Sequence, residues 1–315
     1  MNLLVTGGCG FIGSNFINGL RLKINRLVNF DAMYYCASQD NINSLVKESP
    51  RYYFVKGNLC SSDLVSHVLE EHQITHVIHF AAQSHVQNSF DDSMQYTQDN
   101  IVGTHTLLEC CRKYTRVQKI IHVSTDEVYG ESNDLKFDEN TILVPTNPYA
   151  ATKAAAEMIA MSYIKSYNLP IVITRGNNVY GQNQYPEKLI PRFIQQLQNN
   201  EQLTVQGNGY SRRSFLHVDD TCSAFEIVLI KGVVGEVYNI GADEESEFTV
   251  LEIAEILVKL LKGTDAYHSF IRFVEDRPFN DSRYFISNEK LKKLGWKITI
   301  PFLEGIKKLI KTKDQ

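Results

Sequence analysis

This sequence of 315 residues lacks the features that mark membrane, nucleic-acid-binding and secreted proteins. No apolar run is long enough to cross a bilayer, and the first residues lack the basic-then-apolar pattern of a secretion signal. The 32 basic and 36 acidic residues give a net charge of −4 without a long run of either sign. We therefore expect a cytoplasmic protein with no membrane partner and no nucleic-acid partner.

Paired cysteine motifs are absent as well. The six cysteines are scattered without a C-x-x-C pair, and the histidines are spread over predicted helices and strands. This distribution indicates reduced thiols and predicts no metal site. With 43% hydrophobic and 22% charged residues, the composition is that of a globular protein with one large or two modest domains.

A glycine-rich turn lies close to the first residue. The apolar residues 1–6 lead into Gly7, Gly10 and Gly13, and a helix is predicted directly afterwards. Such a strand–turn–helix directs free N–H groups and the positive end of the helix dipole at an anion. A second apolar segment ends at Asp31, whose carboxylate can accept a hydrogen bond from a ribose 2′-hydroxyl. The spacing predicts a dinucleotide site, and Asp31 favours NAD over NADP because a carboxylate repels a 2′-phosphate.

Strand-like and helix-like segments alternate through the first 175 residues. Further apolar strands are predicted at residues 27–31, 52–56, 119–125 and 170–175, and residues 75–82 are predicted to be a strand that runs into a turn of small residues. Helices are predicted at residues 64–72, 100–114 and 149–167. This alternation predicts βαβ units, and continuously apolar strands fit a parallel sheet that is covered on both faces. We therefore predict an α/β fold with a doubly wound parallel sheet.

The pattern changes after residue 175, where polar, aromatic and asparagine-rich segments follow. We predict two lobes. A nucleotide-binding lobe is made of residues 1–175 and about 214–240, and a smaller mixed α/β substrate lobe of about 176–213 and 241–315. Ligands of such folds bind beyond the carboxyl ends of the strands.

Tyr149 and Lys153 lie one helical turn apart, so their side chains share one face of the predicted helix 149–167. A tyrosine with its ordinary pKa of about 10 is a poor base at neutral pH, but a neighbouring ammonium lowers that pKa. The pair can then take a proton from a sugar hydroxyl. The alternative is an ordinary pair of residues on a helix surface.

Thr125, Asp126 and Glu127 stand at the end of the predicted strand 119–125. Strand ends are where a doubly wound fold places its chemistry. Two carboxyls in different environments can serve as an acid and a base. The alternative is a solvated acidic loop.

Together, the glycine turn, Asp31, the Tyr149–Lys153 pair and the two-lobe layout resemble the extended short-chain dehydrogenase/reductases, whose fold is of the Rossmann type. Nearly the whole chain resembles one group among them, the nucleotide-sugar 4,6-dehydratases, through residues 124–130, Asn178 and residues 186–191. Other segments look closer to the UDP-sugar branch, as in the dehydratase part of plant UDP-rhamnose synthases, than to the dTDP-glucose branch. These segments are residues 81–86, 88–90, 174–181 and 277–281.

The resemblance implies an NAD-dependent enzyme that converts UDP-glucose or UDP-N-acetylglucosamine to the 4-keto-6-deoxy sugar nucleotide. In that family C4 is oxidised, water is eliminated across C5 and C6, and the hydride returns to C6. Tyr149, helped by Lys153 and Thr125, would take the proton of the 4-hydroxyl. Glu127 would take the C5 proton, and Asp126 would protonate the departing 6-hydroxyl.

The resemblance also implies the binding residues. Those for NAD are Gly7, Gly10, Phe11, Ile12, Gly13, Asp31, Asn58, Leu59, Phe80, Ala81, Ala82, Val123, Tyr149 and Lys153. Those for the nucleotide sugar are Ser84, Thr125, Asn178, Glu187, Lys188, Leu189, Arg213 and Asn280. Asn58 replaces the family's usual Asp, and its side-chain carbonyl can accept the same bond from the adenine amino group. Helices 100–114 and 149–167 would form the four-helix bundle of a homodimer, as in this family.

Several alternatives share these residues. The use of dTDP-glucose, or dehydration coupled to epimerisation at C5, would need the same side chains. A UDP-sugar 4-epimerase would need Tyr149, Lys153 and NAD, but it would not need Asp126 and Glu127. A non-catalytic NAD-binding scaffold would typically have lost Tyr149 or Lys153, and both are present.

Overall fold

A computed structural model describes residues 1–132 and 135–313 of the chain. The strands of these residues are β1 (Asn2–Thr6), β2 (Arg26–Asp31), β3 (Tyr52–Lys56), β4 (His76–His79), β5 (Lys119–Thr125), β6 (Ile171–Gly176), β7 (Asn178–Tyr180), β8 (Leu203–Gln206), β9 (Arg212–His217), β10 (Val237–Ile240), β11 (Glu247–Thr249) and β12 (Ile271–Val274). Seven of them form one parallel sheet in the order β10-β6-β5-β4-β1-β2-β3. The predicted doubly wound parallel sheet is therefore confirmed.

Helices connect these strands. They are α1 (Phe11–Gly19), α2 (Ser44–Lys47), α3 (Ser62–Glu71), α4 (Val86–Asp91), α5 (Ser93–Tyr96), α6 (Gly103–Tyr114), α7 (Pro148–Tyr167), α8 (Leu189–Gln198), α9 (Val218–Lys231), α10 (Val250–Lys262), α11 (Glu289–Lys293) and α12 (Phe302–Lys313). The predicted helix 100–114 differs in its first turn, because a π-helical segment (Thr97–Val102) runs directly into α6. Within the described residues, no helix is both long and apolar enough to cross a membrane.

The seven-stranded sheet is buried on both faces, as its continuously apolar strands require. Leu3 and Val5 of β1 belong to one hydrophobic cluster, which includes Phe16 of α1 and Phe225 of α9. Leu4 belongs to the cluster on the opposite face, to which α3, α6 and α7 contribute. Side chains therefore alternate between two helical layers along each strand.

A third cluster lies in the part of the chain that follows β6. Phe193 of α8, Leu203 of β8, Leu257 of α10 and Ile306 of α12 pack together in it. The small sheet β11-β9-β7 and the pair β12-β8 belong to this region. The division into two lobes at the predicted boundaries stays a prediction, and residues 314 and 315 at its end lie outside the described residues.

Helix α7 is fixed at its start and along its length. Asn147 caps it by accepting a hydrogen bond from Ala150 N, and Pro148 occupies its first turn. A buried ion pair between Arg175 of β6 and Glu157 of α7, 2.7 Å from Nη2 to Oε2, joins the helix to the sheet. Removing one partner of such a pair costs roughly 3–5 kcal/mol, because the other charge stays buried. This attachment fixes the helix that carries Tyr149 and Lys153 against the ends of β5 and β6.

Candidate active site

One large cavity opens at the carboxyl ends of the central parallel strands. All the residues predicted for NAD and for catalysis line it, together with Ser84, Asn178, Glu187 and Lys188. Leu189, Arg213 and Asn280 are not part of this lining. Arg213 and Asn280 contact each other, since Arg213 Nη2 donates to Asn280 Oδ1 at 3.0 Å.

The turn between β1 and α1 needs glycine at two positions. Gly7 has a φ of +72°, and a Cβ on Gly13 would lie 2.3 Å from the Gly7 carbonyl oxygen. Gly10 caps α1 without a side chain, and the first turn of the helix holds no acidic residue. The N–H groups at the start of α1 are therefore available to an anionic group such as a pyrophosphate.

Asp31 ends β2 at the edge of the same cavity. Its Oδ2 accepts a hydrogen bond from Cys9 N at 2.9 Å, and its Oδ1 accepts one from Met33 N at 2.8 Å. Burial raises the pKa of this carboxyl, and the two N–H donors oppose the rise. The two bonds hold the carboxylate in one orientation and leave lone pairs for a ribose hydroxyl.

Asn58 has an orientation fixed by its neighbours. Its Oδ1 accepts from Cys60 N at 2.8 Å, and its Nδ2 donates to the Tyr34 hydroxyl at 3.0 Å. The carbonyl keeps a second lone pair, so it can still accept from an adenine amino group. With the glycine turn and Asp31, this arrangement fits a dinucleotide.

Asp126 is buried, with 3% of its surface exposed. Its Oδ2 accepts from Asn177 Nδ2 at 2.6 Å, and Asn177 Oδ1 in turn accepts from Ala242 N at 2.9 Å. The backbone donor fixes which way the amide faces. Burial, together with the charge of Glu127, raises the pKa of Asp126 to about 7. Asp126 therefore carries a proton in a large fraction of molecules at neutral pH, as a general acid must.

Glu127 has a different set of partners. Its Oε2 accepts from Asn147 Nδ2 at 3.0 Å, and the same Asn147 caps α7 through its Oδ1. Burial raises the pKa of Glu127, while the Asn147 amide and three cations oppose the rise. These cations are Arg213, Lys188 and Arg277. Cations and a donated amide favour the ionised form, which a general base needs.

Tyr149 and Lys153 are both buried at the cavity wall. Burial and the charge of Glu127 raise the pKa of Tyr149, although a hydrogen bond with Thr125 opposes the rise. Lys153 Nζ donates to the Val123 carbonyl at 2.6 Å, and burial lowers its pKa to about 8. Burial and the neighbouring carboxylates therefore dominate the pKa of Tyr149 in this structure, and the lowering of that pKa by Lys153 stays a prediction.

Glu187 and Lys188 contact residues from the first half of the chain. Glu187 Oε2 accepts from the Tyr35 hydroxyl at 2.8 Å, and Lys188 Nζ donates to the Ser84 carbonyl at 2.8 Å. These bonds place the predicted substrate residues Ser84, Glu187 and Lys188 together. Burial lowers the pKa of Lys188.

Two arginines of this region were missed by the sequence reasoning. The Nε atoms of Arg192 and Arg277 are buried and have no hydrogen-bond partner within residues 1–132 and 135–313. Burial lowers the pKa of both arginines. The charge of Arg277 lowers the pKa of Arg192 further, and the charge of Arg213 lowers that of Arg277. A guanidinium whose Nε donor is buried and unused suits an anionic group. No sequence spacing joins these residues, because only the fold brings α8 near the segment after β12.

Asn147 and Asn177 were missed for another reason. Each acts by orienting a carboxyl rather than by a motif of its own. Asn147 carried a usable signal, since an Asn directly before a Pro predicts a helix cap. Asn177 carried none, because its contact with Asp126 spans 51 positions.

The structure also describes the cysteines and the groups that could bind metals. All six cysteines are free thiols. Among the residues that the structure describes, no group of three or more His, Cys, Asp or Glu could hold a metal ion.

Sequence comparisons point to one group of proteins. A family model described as GDP-mannose 4,6 dehydratase matches residues 4–309. The chain is 47% identical over 312 residues to the trifunctional UDP-glucose 4,6-dehydratase/UDP-4-keto-6-deoxy-D-glucose 3,5-epimerase/UDP-4-keto-L-rhamnose-reductase of Arabidopsis thaliana, covering 98% of this chain and 46% of that protein. It is 45% identical over 313 residues to the dTDP-D-glucose 4,6-dehydratase of Bos taurus, covering 98% of this chain and 87% of that protein. The chain thus spans about half the length of the plant relative.

A solved structure has a similar fold over almost its full length. It is that of DesIV, a dTDP-glucose 4,6-dehydratase from Streptomyces venezuelae, with NAD and TYD bound. The TM-score is 0.94 at 36% identity, and the match covers 99% of this chain and 96% of that one.

Proposed function

Since the chain belongs to the nucleotide-sugar 4,6-dehydratase family, we propose that it is an NAD-dependent 4,6-dehydratase that acts on a UDP-hexose. The resemblance inferred from the sequence motifs is confirmed at the level of the family. The observation that carries the proposal is the Asp126–Glu127 pair, whose two carboxyls contact different amides in the cavity that Tyr149 also lines.

The cofactor is NAD. The glycine turn would hold the pyrophosphate, Asp31 the ribose hydroxyls and Asn58 the adenine, since each presents the matching donor or acceptor at the cavity. Bound NAD supplies the hydride acceptor for C4, the hydride donor for C6 and a positive nicotinamide ring. Asp31 is followed by Ala32 rather than by an arginine, which supports NAD over NADP.

Tyr149 would act at the 4-hydroxyl. It must become a base although burial and Glu127 favour its neutral form, so its hydrogen bond with Thr125 is important. Lys153 lies one helical turn after Tyr149 on the same face of α7, and its Nζ donates to the Val123 carbonyl of β5. Its ammonium would stabilise the phenolate when it forms.

Glu127 and Asp126 would eliminate water. Oxidation at C4 makes the C5 hydrogen acidic, and Glu127 would take that proton. Asp126 would give its proton to the departing 6-hydroxyl. The burial and carboxylate that raise the pKa of Asp126 to about 7 support this assignment, because they keep a carboxylic acid available at neutral pH.

The nucleotide half of the substrate would lie near Lys188, Arg192, Arg213 and Arg277. The unused Nε donors of Arg192 and Arg277 support a diphosphate there. The identity to the plant UDP-glucose dehydratase supports a UDP-sugar, and the similar identity to the bovine enzyme keeps dTDP-glucose as a competitor. Ser84 and Glu187 would contact the sugar.

We also propose a homodimer built through α6 and α7. Met158 of α7 is 50% exposed and Val102, directly before α6, is 39% exposed. Apolar side chains that face solvent on neighbouring helices suit a packed helical interface.

An incubation with UDP-glucose, UDP-N-acetylglucosamine and dTDP-glucose tests the proposal. Mass spectrometry should show that UDP-glucose or UDP-N-acetylglucosamine loses one water faster than dTDP-glucose does. Faster loss of water from dTDP-glucose would support the dehydration but contradict uracil as the base of the substrate. NMR of the product would show whether the configuration at C5 is kept or inverted. Conversion of a substrate to its 4-epimer, with unchanged mass, would overturn the dehydratase.

A further inference from the structure

A buried phenol and a buried carboxyl, Tyr284 and Asp281, lie next to Glu127. Tyr284 and Asp281 are both buried, and the Tyr284 hydroxyl makes a short hydrogen bond to Asp281 Oδ2. The same hydroxyl oxygen is 3.4 Å from Glu127 Oε2. The phenol therefore lies between two carboxyls and has one hydrogen to give.

Of the two carboxyls, Asp281 is the nearer partner of the Tyr284 hydroxyl, and the contact with Glu127 is the longer one, at 3.4 Å. Burial and the charges of Glu127 and Asp281 raise the pKa of Tyr284, although Arg213 opposes them, so the phenol keeps its hydrogen at neutral pH. A phenol that donates its hydrogen to Asp281 presents only lone pairs toward Glu127. An acceptor facing a carboxylate does not stabilise its charge, whereas a donor would.

Asp281 is itself held in place. Thr146 Oγ1 lies 3.0 Å from its Oδ1 and 2.8 Å from its Oδ2. The next residue, Asn147, binds Glu127. Two consecutive residues before α7 therefore set the spacing of the two carboxyls. The Tyr284 ring is held from its other side by the Arg213 guanidinium, 4.7 Å from the ring centre.

We propose that Asp281 is a positioning residue for Glu127: it accepts the hydrogen of Tyr284 and so prevents that phenol from donating to the general base. This inference rests on the proposed function, in which Glu127 takes the C5 proton. When the C5–H bond breaks, its electron pair stays on the sugar as an enolate and the proton moves to Glu127. A carboxylate that lacks an additional donor is a stronger base for that step.

Other charged and titratable groups face Glu127 from every element around it. They are Asp126, Tyr149, Lys188, Arg213, Arg277 and Tyr284. All except Tyr284 stay unchanged in the variants below. Differences between variants therefore report on the Asp281–Tyr284 pair.

The test is a carbon NMR titration of the glutamate carboxyls, with Glu127 assigned through Glu127→Gln. In Asp281→Asn, the amide can donate to the Tyr284 oxygen and free the phenol hydrogen for Glu127. We expect the midpoint of Glu127 to fall by about one pH unit, since hydrogen bonds to charged groups are strong. Adding Tyr284→Phe should reverse that fall, because no hydrogen is left to give. An equal fall in the double variant would mean that only the charge of Asp281 matters, and it would overturn the proposal.

A second variant keeps the proposal testable if Asp281→Asn does not fold. Tyr284→Phe alone should leave the titration midpoint of Glu127 within a few tenths of a pH unit of the wild-type value. The reason is that the phenol donates no hydrogen bond to Glu127 that the variant could remove. A rise of about one unit would mean that Tyr284 donates to Glu127, which contradicts the proposal. Tyr180→Phe is the matched control, since this buried phenol donates to the Phe302 carbonyl, away from the site.

Kinetics separates this inference from the proposed function. In Asp281→Asn the acid limb of kcat/KM, where Glu127 must be ionised, should move to lower pH, while KM stays close to that of the wild type. Uptake of solvent deuterium at C5 should slow in the same variant. If wild-type protein dehydrates no nucleotide sugar, the proposed function fails, and the NMR titration still decides the role of Asp281.

Discussion

The two neighbouring carboxyls differ because each contacts an amide with its own anchor. Asn177 is anchored by the backbone at Ala242, and Asn147 by the start of α7. Burial and the neighbouring charge of Glu127 raise the pKa of Asp126, so this carboxyl keeps its proton more readily. The sequence placed the pair at a strand end, but the amides that distinguish an acid from a base come from distant positions.

Asp126→Asn should make the protein more stable at about pH 8 and much less active. The pKa of Asp126 is about 7 in the folded protein against an ordinary 3.8, so folding favours its protonated form. The stability that this gives is full below about pH 4 and is lost as the pH rises through about 7. Asn does not ionise, so the melting temperatures of variant and wild type should diverge only as the pH rises.

Scanning calorimetry at about pH 4, 6 and 8 measures this divergence. Asp40→Asn is the control, because the Asp40 side chain is 98% exposed. Turnover of Asp126→Asn should fall by a factor on the order of 100 or more, as the loss of a general acid predicts. A lower melting temperature than wild type at pH 8 would contradict the account.

Single elements were predicted well where one local pattern decides them. The predicted strands 52–56 and 119–125 coincide with β3 and β5, because continuous apolar runs between turns leave few alternatives. The start of α1 directly after Gly10 and the π-helical turn before α6 were not predicted. Both depend on packing against other segments, which the local pattern does not contain.

The start of α7 allows its two functions to be separated. Asn147→Ala removes the cap and the contact with Glu127, so it should lower the free energy of unfolding by about 1 kcal/mol and also reduce turnover. Asn147→Ser keeps a capping hydroxyl and loses only the Glu127 contact. Denaturant unfolding should therefore find Asn147→Ser close to wild type, with turnover reduced as in the Ala variant. Full turnover in either variant would mean that Asn147 does not act on Glu127.

The glycine turn offers a control within the same helix. Gly13→Ala places a Cβ 2.3 Å from the Gly7 carbonyl oxygen, whereas a Cβ on Gly19 meets nothing within 4 Å. Gly13→Ala should therefore lose bound cofactor and melt at a lower temperature. Gly19→Ala should keep its cofactor and melt no lower than wild type. Equal cofactor content in the two purified variants would refute a pyrophosphate site at this turn.

The whole molecule brings together residues that no sequence spacing joins. The bond from Tyr35 to Glu187 and the bond from Lys188 to Ser84 connect segments more than 100 positions apart. The fold also brings the charge of Arg277 near Arg192, so the cationic part of the site could be recognised only in the structure. The sequence motif predicted Glu187 and Lys188 as site residues, but it did not predict the hydrogen-bond partner of either.

The proposed homodimer makes a prediction about surface charge. Met158→Lys should convert a dimer into a monomer, because a charge at an apolar interface must be desolvated. Light scattering measures the mass. Leu303→Lys is the matched control, since Leu303 of α12 and Met158 are each 50% exposed. A monomeric wild-type protein, or a dimer that Met158→Lys leaves intact, would contradict the interface.

We propose that this site removes water from a nucleotide sugar through Asp126 and Glu127. The most direct measurement is the mass and the C5 isotope content of the nucleotide sugars after incubation in deuterated water. Wild-type protein should remove one water and place one deuterium at C5, and Glu127→Gln should do neither at a comparable rate. Recovery of all three candidate sugars with unchanged mass and no deuterium at C5 would contradict the claim.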